Sequence, residues 1–175
     1  MKKLQQIDEQ ILLWIQDTVR NDSLTPMMQF VSRLLDHGML SIISCIGLLA
    51  YKKTRKLGII TTSSLLLSTL ITNVLLKPLV KRPRPYDTIE TLTFLSKKLT
   101  DFSFPSGHTA AATAVCGVIF FICPKKYGIP AILFAILVGI SRLYLGVHYP
   151  TDVFVGFAIG FLSSYIASKL FVQRK

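Results

Sequence analysis

The chain has 175 residues, of which 51% are hydrophobic and only 17% are charged, a composition that excludes an ordinary soluble domain and indicates a membrane protein. Its net charge of +11 would suit nucleic-acid binding, but much of it lies in short basic clusters at the ends of apolar segments, as membrane topology requires. No linker divides the sequence. We therefore predict one membrane-embedded domain over residues 1–175 and no nucleic-acid partner.

The N-terminal segment is amphipathic. Between residues 4 and 21, apolar and charged residues alternate in a helical pattern that is typical of a helix lying at a membrane interface. The acidic residues also interrupt any apolar core of a cleavable signal peptide. We predict that residues 1–24 form an amphipathic N-terminal segment on the membrane surface.

Apolar segments that are suited to crossing a bilayer follow. Residues 57–76 carry no formal charge and match the roughly 20 residues that a helix needs to span a hydrocarbon core. A spanning helix is also predicted over residues 27–51, although only the second half is strongly apolar. The other predicted spans lie within three uncharged runs, residues 102–124, 127–141 and 153–168. The predicted fold is all-α, a polytopic membrane helical bundle with five to six spanning helices and an N-terminal amphipathic helix.

Three polar clusters interrupt this apolar pattern, at residues 77–85 (KPLVKRPRP), 104–108 (FPSGH) and 141–152 (SRLYLGVHYPTD). No crossing separates the first cluster from the second, so both lie on one side of the membrane. Between the second and the third the chain crosses twice, and the third returns to that side. The hydrophobic pattern therefore allows the three clusters to form one site.

The clusters contain groups that are suited to binding phosphate. Lys77, Arg84 and Arg142 supply cations for the negative oxygens of a transferring phosphoryl group. Each cation alone is better explained as a helix-end residue that reaches the membrane surface, but three on one face favour a phosphate site. Ser106 and Gly107 begin a predicted helix, whose N-terminus presents free N–H donors to an anion.

Two histidines and an aspartate complete the predicted site. His148 and Asp152 are four residues apart, so a carboxylate can orient one imidazole nitrogen while the other attacks phosphorus. We predict that His148 is the nucleophile, Asp152 its orienting partner and His108 a general acid. The alternatives are that Asp152 only favours the helix N-terminus and that His108 is a hydrogen-bonded structural residue.

Other polar residues have simpler explanations. Arg33 and Asp36 are predicted to form an intrahelical ion pair, with a polar cluster that includes His37 as the alternative. The cysteines lie in apolar segments without paired metal spacing, and we predict that they are buried apolar side chains with no redox or metal role: Cys45, Cys116 and Cys123.

In this order, the three motifs resemble the signature of the type 2 phosphatidic acid phosphatase superfamily. That signature is a Lys followed after six residues by Arg-Pro, then PSGH, then Ser-Arg followed after five residues by His and after three more by Asp, and residues 77–85, 105–108 and 141–152 match it throughout. The resemblance covers residues 57–171, the implied catalytic core.

The resemblance implies a helical bundle that hydrolyses phosphate esters without a metal or any other cofactor. It implies that His148 becomes phosphorylated, that Asp152 orients it and that His108 acts first as an acid and then as the activator of water. It also implies a set of residues that hold the phosphate: Lys77, Arg84, Ser106, Gly107 and Arg142.

A site buried at a membrane face favours a lipid phosphate whose tail stays in the bilayer. Small bacterial members of the family resemble undecaprenyl diphosphate phosphatases and phosphatidylglycerophosphate phosphatases, so we predict hydrolysis of undecaprenyl diphosphate to undecaprenyl phosphate. The alternatives are phosphatidylglycerophosphate or phosphatidic acid as substrate, transfer of the phosphate to a lipid or sugar acceptor, vanadate-dependent oxidation, and a non-enzymatic membrane role. The basic clusters favour a multi-pass protein of the cell membrane with an extracytoplasmic site. Residues 88–99 are predicted either to form a short interfacial helix beside this site or to pack against the bundle.

Overall fold

A computed structural model describes residues 2–172, although the side chains of Lys2, His37 and Val172 lie outside that description. All regular elements in this range are helical, as the all-α prediction requires. The α-helices are α1 (Lys2–Trp14), α2 (Leu24–Arg33), α3 (Met39–Ala50), α4 (Arg55–Thr69), α5 (Lys77–Val80), α6 (Pro85–Thr88), α7 (Gly107–Ile122), α8 (Lys125–Tyr144) and α9 (Pro150–Val172). A π-helical segment, Leu70–Leu76, joins α4 to α5 without a break.

The lengths and compositions of the helices fit a multi-pass membrane protein. Three segments, Arg55–Thr88, Lys125–Tyr144 and Pro150–Phe171, are long and apolar enough to cross a membrane, and α3 and α7 are shorter apolar helices. The number of crossings, five to six, stays a prediction. Of the three cysteines, Cys45 and Cys116 are buried as expected, whereas Cys123 is half-buried.

The predicted continuous helix over residues 27–51 is wrong. The chain breaks between α2 and α3 at a short 3-10 turn, Asp36–Gly38. Gly38 has a φ of 71°, a left-handed backbone conformation that an α-helix does not contain and that glycine adopts without steric cost. The break turns Asp36 toward the N-terminus of α7, where it contacts His108.

Helices α7 and α9 form the centre of the bundle and hold two of the three motifs together. At Gly156 of α9, an added Cβ would lie 2.6 Å from the carbonyl oxygen of Ser106. At Gly160, it would lie 2.5 Å from the carbonyl oxygen of Ala110. These glycines allow the two backbones to approach closely, as small residues do between membrane helices. The N-terminal ends of α7 and α9 therefore meet.

Helix α1 packs on this end of the bundle. Leu12 is fully buried and packs in one cluster with Tyr149. Asp8, an acidic residue of this amphipathic helix, is only 1% exposed because Arg82 and Thr151 bind its carboxylate. Four other apolar side chains of α1 are exposed, as expected for an interfacial helix: Leu4, Ile7, Ile11 and Trp14.

The segment after α6 packs against the bundle, which is one of the two alternatives predicted for residues 88–99. The short interfacial helix predicted over residues 88–99 does not form, since α6 ends at Thr88 and the chain up to Gly107 is irregular. Ile89 and Leu92 are buried against Leu12 of α1. This irregular segment closes the bundle and carries further side chains into the site.

Candidate active site

The three motifs converge on one cavity of about 1470 Å³. Side chains or backbone from each motif line it: Lys77, Arg84, Gly107, His108, Arg142 and His148. This convergence agrees with the prediction from the number of membrane crossings between the motifs. The catalytic and phosphate-binding roles of these residues stay predictions.

His148 lies in the turn between α8 and α9 and is only 1% exposed. Its Nδ1 is 3.5 Å from Oδ2 of Asp152, which is longer than an ordinary hydrogen bond but fixes which ring nitrogen faces the carboxylate. Its Nε2 is 3.4 Å from Nη1 of Arg84. Burial lowers the pKa of His148 and keeps the imidazole neutral. Nε2 is therefore the nitrogen that can attack phosphorus.

Asp152 is fully buried in the first turn of α9 and has several donors. Its Oδ2 accepts hydrogen bonds from the Ser103 hydroxyl and, at 2.9 Å, from the Tyr149 backbone N–H. Its Oδ1 accepts a hydrogen bond of 2.7 Å from Nη1 of Arg82. These donors offset the desolvation of a buried carboxylate, so Asp152 can remain charged beside His148.

Arg82 extends this network to the N-terminal helix. Its Nη2 donates to Oδ2 of Asp8 at 2.7 Å, and its Cζ lies 3.7 Å from the ring centroid of Tyr149. Asp8 also accepts a 3.0 Å hydrogen bond from the backbone N–H of Thr151, the residue before Asp152. Neither Arg82 nor Asp8 is among the site residues predicted from the sequence. Arg82 lies in the first polar cluster, which was a usable signal, whereas Asp8 looks like any acidic residue on an interfacial helix.

Lys77 and Arg84 share a carboxylate that the motifs do not contain. Both pair with the side chain of Asp101, which lies in the irregular segment before α7, and Arg84 Nη2 donates to it at 2.7 Å. Arg84 also donates from Nε to the Asp101 carbonyl oxygen at 2.9 Å and from Nη1 to the Val147 carbonyl oxygen at 2.8 Å. Burial opposes the charge of Asp101, but Lys77 and then Arg84 lower its pKa to about 2.

Arg142 lies in the last turn of α8 and is 1% exposed. Its Nη1 donates to the Ser32 hydroxyl on α2. Its Nε and Nη2 are buried and have no hydrogen-bond partner within residues 2–172. Because Arg142 lines the cavity, these two donors suit an anion that binds there.

The N-terminus of α7 differs in one respect from the expectation. Ser106 is the N-cap residue, and its hydroxyl oxygen accepts from the Thr109 backbone N–H at 3.5 Å. It is fully buried, it is not on the cavity wall, and its own N–H donates to the Asp152 carbonyl oxygen at 3.0 Å. Gly107 does line the cavity, and a Cβ there would lie 3.7 Å from Nζ of Lys77. Ser106 thus joins α7 to α9, and its direct contact with phosphate stays a prediction.

His108 has a carboxylate partner of its own. In the first turn of α7, its Nε2 lies 3.3 Å from Oδ1 of Asp36. The predicted pair between Arg33 and Asp36 is wrong, since no ion pair joins them among the described side chains. The alternative cluster with His37 falls on a side chain outside the described residues. A partly exposed histidine held by a carboxylate at the cavity can donate and accept protons.

Within residues 2–172, no group of three or more His, Cys, Asp or Glu side chains is arranged to hold a metal ion. The cavity instead offers fixed cations, a neutral imidazole and a second histidine. This combination suits transfer of a phosphoryl group to the imidazole nitrogen.

Known proteins share this sequence and fold. The family model described as the PAP2 superfamily matches residues 57–175. An undecaprenyl-diphosphatase from Sulfolobus acidocaldarius is 33% identical over 70% of this chain and 59% of its own length, so the chain spans less than two thirds of that relative. Undecaprenyl-diphosphatase BcrC from Bacillus subtilis is 34% identical over 81% of this chain and 74% of its own length.

A solved structure is similar over the whole chain. The crystal structure of a transmembrane PAP2-type phosphatidylglycerolphosphate phosphatase from Bacillus subtilis has a TM-score of 0.82 and 31% sequence identity, and the match covers 100% of this chain and 89% of that one. The matched family region contains the three motifs that line the cavity. This chain therefore belongs to the PAP2 superfamily and is a multi-pass membrane protein.

Proposed function

We propose that this chain is a lipid phosphatase that hydrolyses undecaprenyl diphosphate to undecaprenyl phosphate through a phosphohistidine. One observation carries the proposal: Nδ1 of His148 faces Asp152 at 3.5 Å while the ring borders a cavity whose lining includes the cations Lys77, Arg84 and Arg142. A neutral, oriented imidazole beside fixed positive charge is what a histidine nucleophile needs.

The chemistry takes two steps. Arg142, Lys77 and Arg84 hold the oxygens of the terminal phosphate, and Nε2 of His148 attacks phosphorus. The bond from phosphorus to the lipid-side oxygen breaks, and His108 gives that oxygen a proton. In the second step His108 takes a proton from water, the resulting hydroxide attacks the phosphohistidine, and the N–P bond breaks to release inorganic phosphate and neutral His148.

The choice of lipid rests on the relatives. Two of them carry the name undecaprenyl-diphosphatase and are 33% and 34% identical to this chain. The similarity to a phosphatidylglycerolphosphate phosphatase, with a TM-score of 0.82, favours phosphatidylglycerophosphate as the second candidate. In both substrates a terminal phosphate enters the cavity while the apolar tail stays in the bilayer.

We further propose that the protein lies in the cell membrane with its site on the extracytoplasmic face. Basic residues cluster between α3 and α4 and again at the start of α8, at helix ends that lead away from the cavity. The tendency of Lys and Arg to remain on the cytoplasmic side therefore favours an outward-facing site. Modification of a single introduced cysteine near residue 98 by a membrane-impermeant reagent in intact cells tests this orientation.

The substrate proposal is tested with the purified full chain in detergent micelles. Phosphate release is measured side by side from undecaprenyl diphosphate, phosphatidylglycerophosphate and phosphatidic acid, with the His148→Ala variant as the inactive reference. We expect the highest kcat/KM on undecaprenyl diphosphate and no release by the variant. A higher kcat/KM on phosphatidylglycerophosphate would make that lipid the preferred substrate instead of undecaprenyl diphosphate. Normal turnover by His148→Ala would contradict the mechanism.

A further inference from the structure

The three cations of the site differ in their partners. Lys77 and Arg84 both pair with the carboxylate of Asp101. Arg142 donates only Nη1, to Ser32, and keeps two buried N–H groups without a partner in the described part of the chain. An arriving phosphate therefore meets one cation with unused donors and two cations that already share one carboxylate.

Asp101 occupies the position that phosphate oxygens need. Its side chain lines the cavity and is 51% exposed, whereas the side chains of Lys77 and Arg84 are only 10% and 3% exposed. Its two carboxylate oxygens bind the two cations separately, Oδ2 to Lys77 and Oδ1 to Arg84. A phosphate that bridges the same cations would place two of its oxygens there, so the carboxylate and the phosphate compete.

The remaining bonds of Arg84 allow the Asp101 side chain to leave without displacing the Arg84 guanidinium. Arg84 donates from Nε to the backbone oxygen of Asp101 at 2.9 Å and from Nη1 to the Val147 oxygen at 2.8 Å, and neither bond uses the carboxylate. The guanidinium plane and the loop backbone thus stay in place when the carboxylate rotates toward solvent. Exchange requires only a side-chain rotation of a half-exposed residue.

Charge decides the outcome of this competition. A terminal phosphate carries about −1.5 to −2 charges at pH 7, whereas a phosphodiester, the headgroup linkage of most membrane phospholipids, carries one. Attraction to Lys77 and Arg84 grows with the charge of the ligand, so a terminal phosphate competes better with a carboxylate than a phosphodiester does. A site at a membrane face meets a large excess of phosphodiesters.

We propose that Asp101 is a specificity-determining residue, whose carboxylate holds Lys77 and Arg84 against singly charged phosphodiesters and yields them to a terminal phosphate. This inference rests on the proposed function of the cavity as a phosphate-ester site. Asp101 also makes release of inorganic phosphate easier, because its carboxylate returns to Lys77 and Arg84 as the product leaves.

The test compares Asp101→Asn with the wild type and with Asp87→Asn, a matched control in which the lost carboxylate pairs with exposed Lys98 at 3.0 Å. The purified full chain in micelles is titrated with inorganic phosphate by calorimetry. Phosphatidylglycerol is then added as a competitor in the phosphate-release assay. We expect Asp101→Asn to bind phosphate at least about tenfold more tightly, equal to about 1.4 kcal/mol, and to become sensitive to phosphatidylglycerol, unlike the other two proteins.

Equal or weaker phosphate binding by a folded Asp101→Asn protein would overturn the proposal, because the carboxylate would then only position the cations. Asp101→Ala, which removes both competing oxygens, serves as the second variant if the asparagine protein does not fold, and the same two outcomes apply to it. The calorimetric titration needs no turnover. A wild type that releases no phosphate from any lipid would therefore refute the proposed function, while the titration still decides the role of Asp101.

Discussion

The buried Asp8 gives the sharpest prediction about residues outside the motifs. Asp8→Asn keeps the shape of the side chain but removes the charge that Arg82 Nη2 contacts at 2.7 Å. The asparagine amide would also direct its N–H₂ at either Arg82 or Thr151, both of which are donors to Asp8. Arg82 then loses one of the two carboxylates that hold its guanidinium, and its bond to Asp152 loosens.

The expected loss of activity in Asp8→Asn follows from the indirect position of Asp8. Asp8 touches neither the cavity nor a phosphate-binding cation, so it acts as a positioning residue for Asp152 through Arg82. At metal sites, loss of a residue that orients a ligand costs about 10- to 100-fold in affinity or activity, and we expect a similar scale for a residue that positions Asp152. We therefore expect kcat to fall by about that factor, with KM changed less than about twofold, since the cations still bind phosphate.

The assay measures kcat and KM for lipid phosphate hydrolysis, together with the rate of phosphoenzyme formation in a quenched-flow experiment. Asp17→Asn is the matched control, because Asp17 is an exposed acidic residue of the same N-terminal segment. Thermal unfolding in micelles checks that each protein is folded. A folded Asp8→Asn protein with the kcat of Asp17→Asn, or with an increased KM and an unchanged kcat, would refute this positioning role.

Three further predictions concern other contacts. His108→Asn should accumulate phosphoenzyme during hydrolysis of p-nitrophenyl phosphate. This leaving group needs no general acid, whereas attack of water on the phosphohistidine still needs a base. Absence of accumulation would contradict the role of His108 as both acid and base. Gly156→Ala should lower kcat, since its Cβ would lie 2.6 Å from the Ser106 carbonyl oxygen. Gly47→Ala is the control and should keep the wild-type kcat, because a Cβ at Gly47 would have no atom within 4 Å. Equal kcat values for the two variants would contradict the close approach of α7 and α9. The pKa of Asp101 is lowered from 3.8 to about 2, so its ion pairs should stabilise the fold fully above pH 4 and lose that effect as the pH falls toward 2. The stability of Asp101→Asn should therefore not fall through loss of these ion pairs between about pH 4 and pH 2. An acid-unfolding curve identical to that of the wild type would contradict this prediction.

The sequence predicted the cavity well because the groups that line it lie in short motifs with fixed spacing. Lys77, Arg84 and His148 were identified from residue type, spacing and the parity of crossings, and they do meet at one cavity. Ser106 was correctly expected at a helix start, but a spacing argument does not reveal that its hydroxyl faces Thr109 rather than the cavity.

The carboxylates were harder to predict. Asp8 binds a cation 74 residues away, Asp36 contacts a histidine 72 residues away, and Asp101 binds Lys77, which is 24 residues earlier and on the other side of a largely irregular segment. An acidic residue in a loop or on an interfacial helix has the same local sequence pattern whether water or a buried guanidinium is its partner. Only the tertiary fold, including the break at Gly38, brings these side chains to the site.

The central claim is that His148 carries the phosphoryl group. The direct measurement is mass spectrometry of the wild-type chain that is quenched in base during turnover of a lipid diphosphate, with peptides searched for phosphate that is stable in base and lost in acid. The mechanism predicts phosphate on His148, with no labelled peptide from His148→Ala. Phosphate on another residue would contradict this mechanism. Turnover without any phosphopeptide would also contradict it, provided that the same quench captures the phosphoenzyme of His108→Asn.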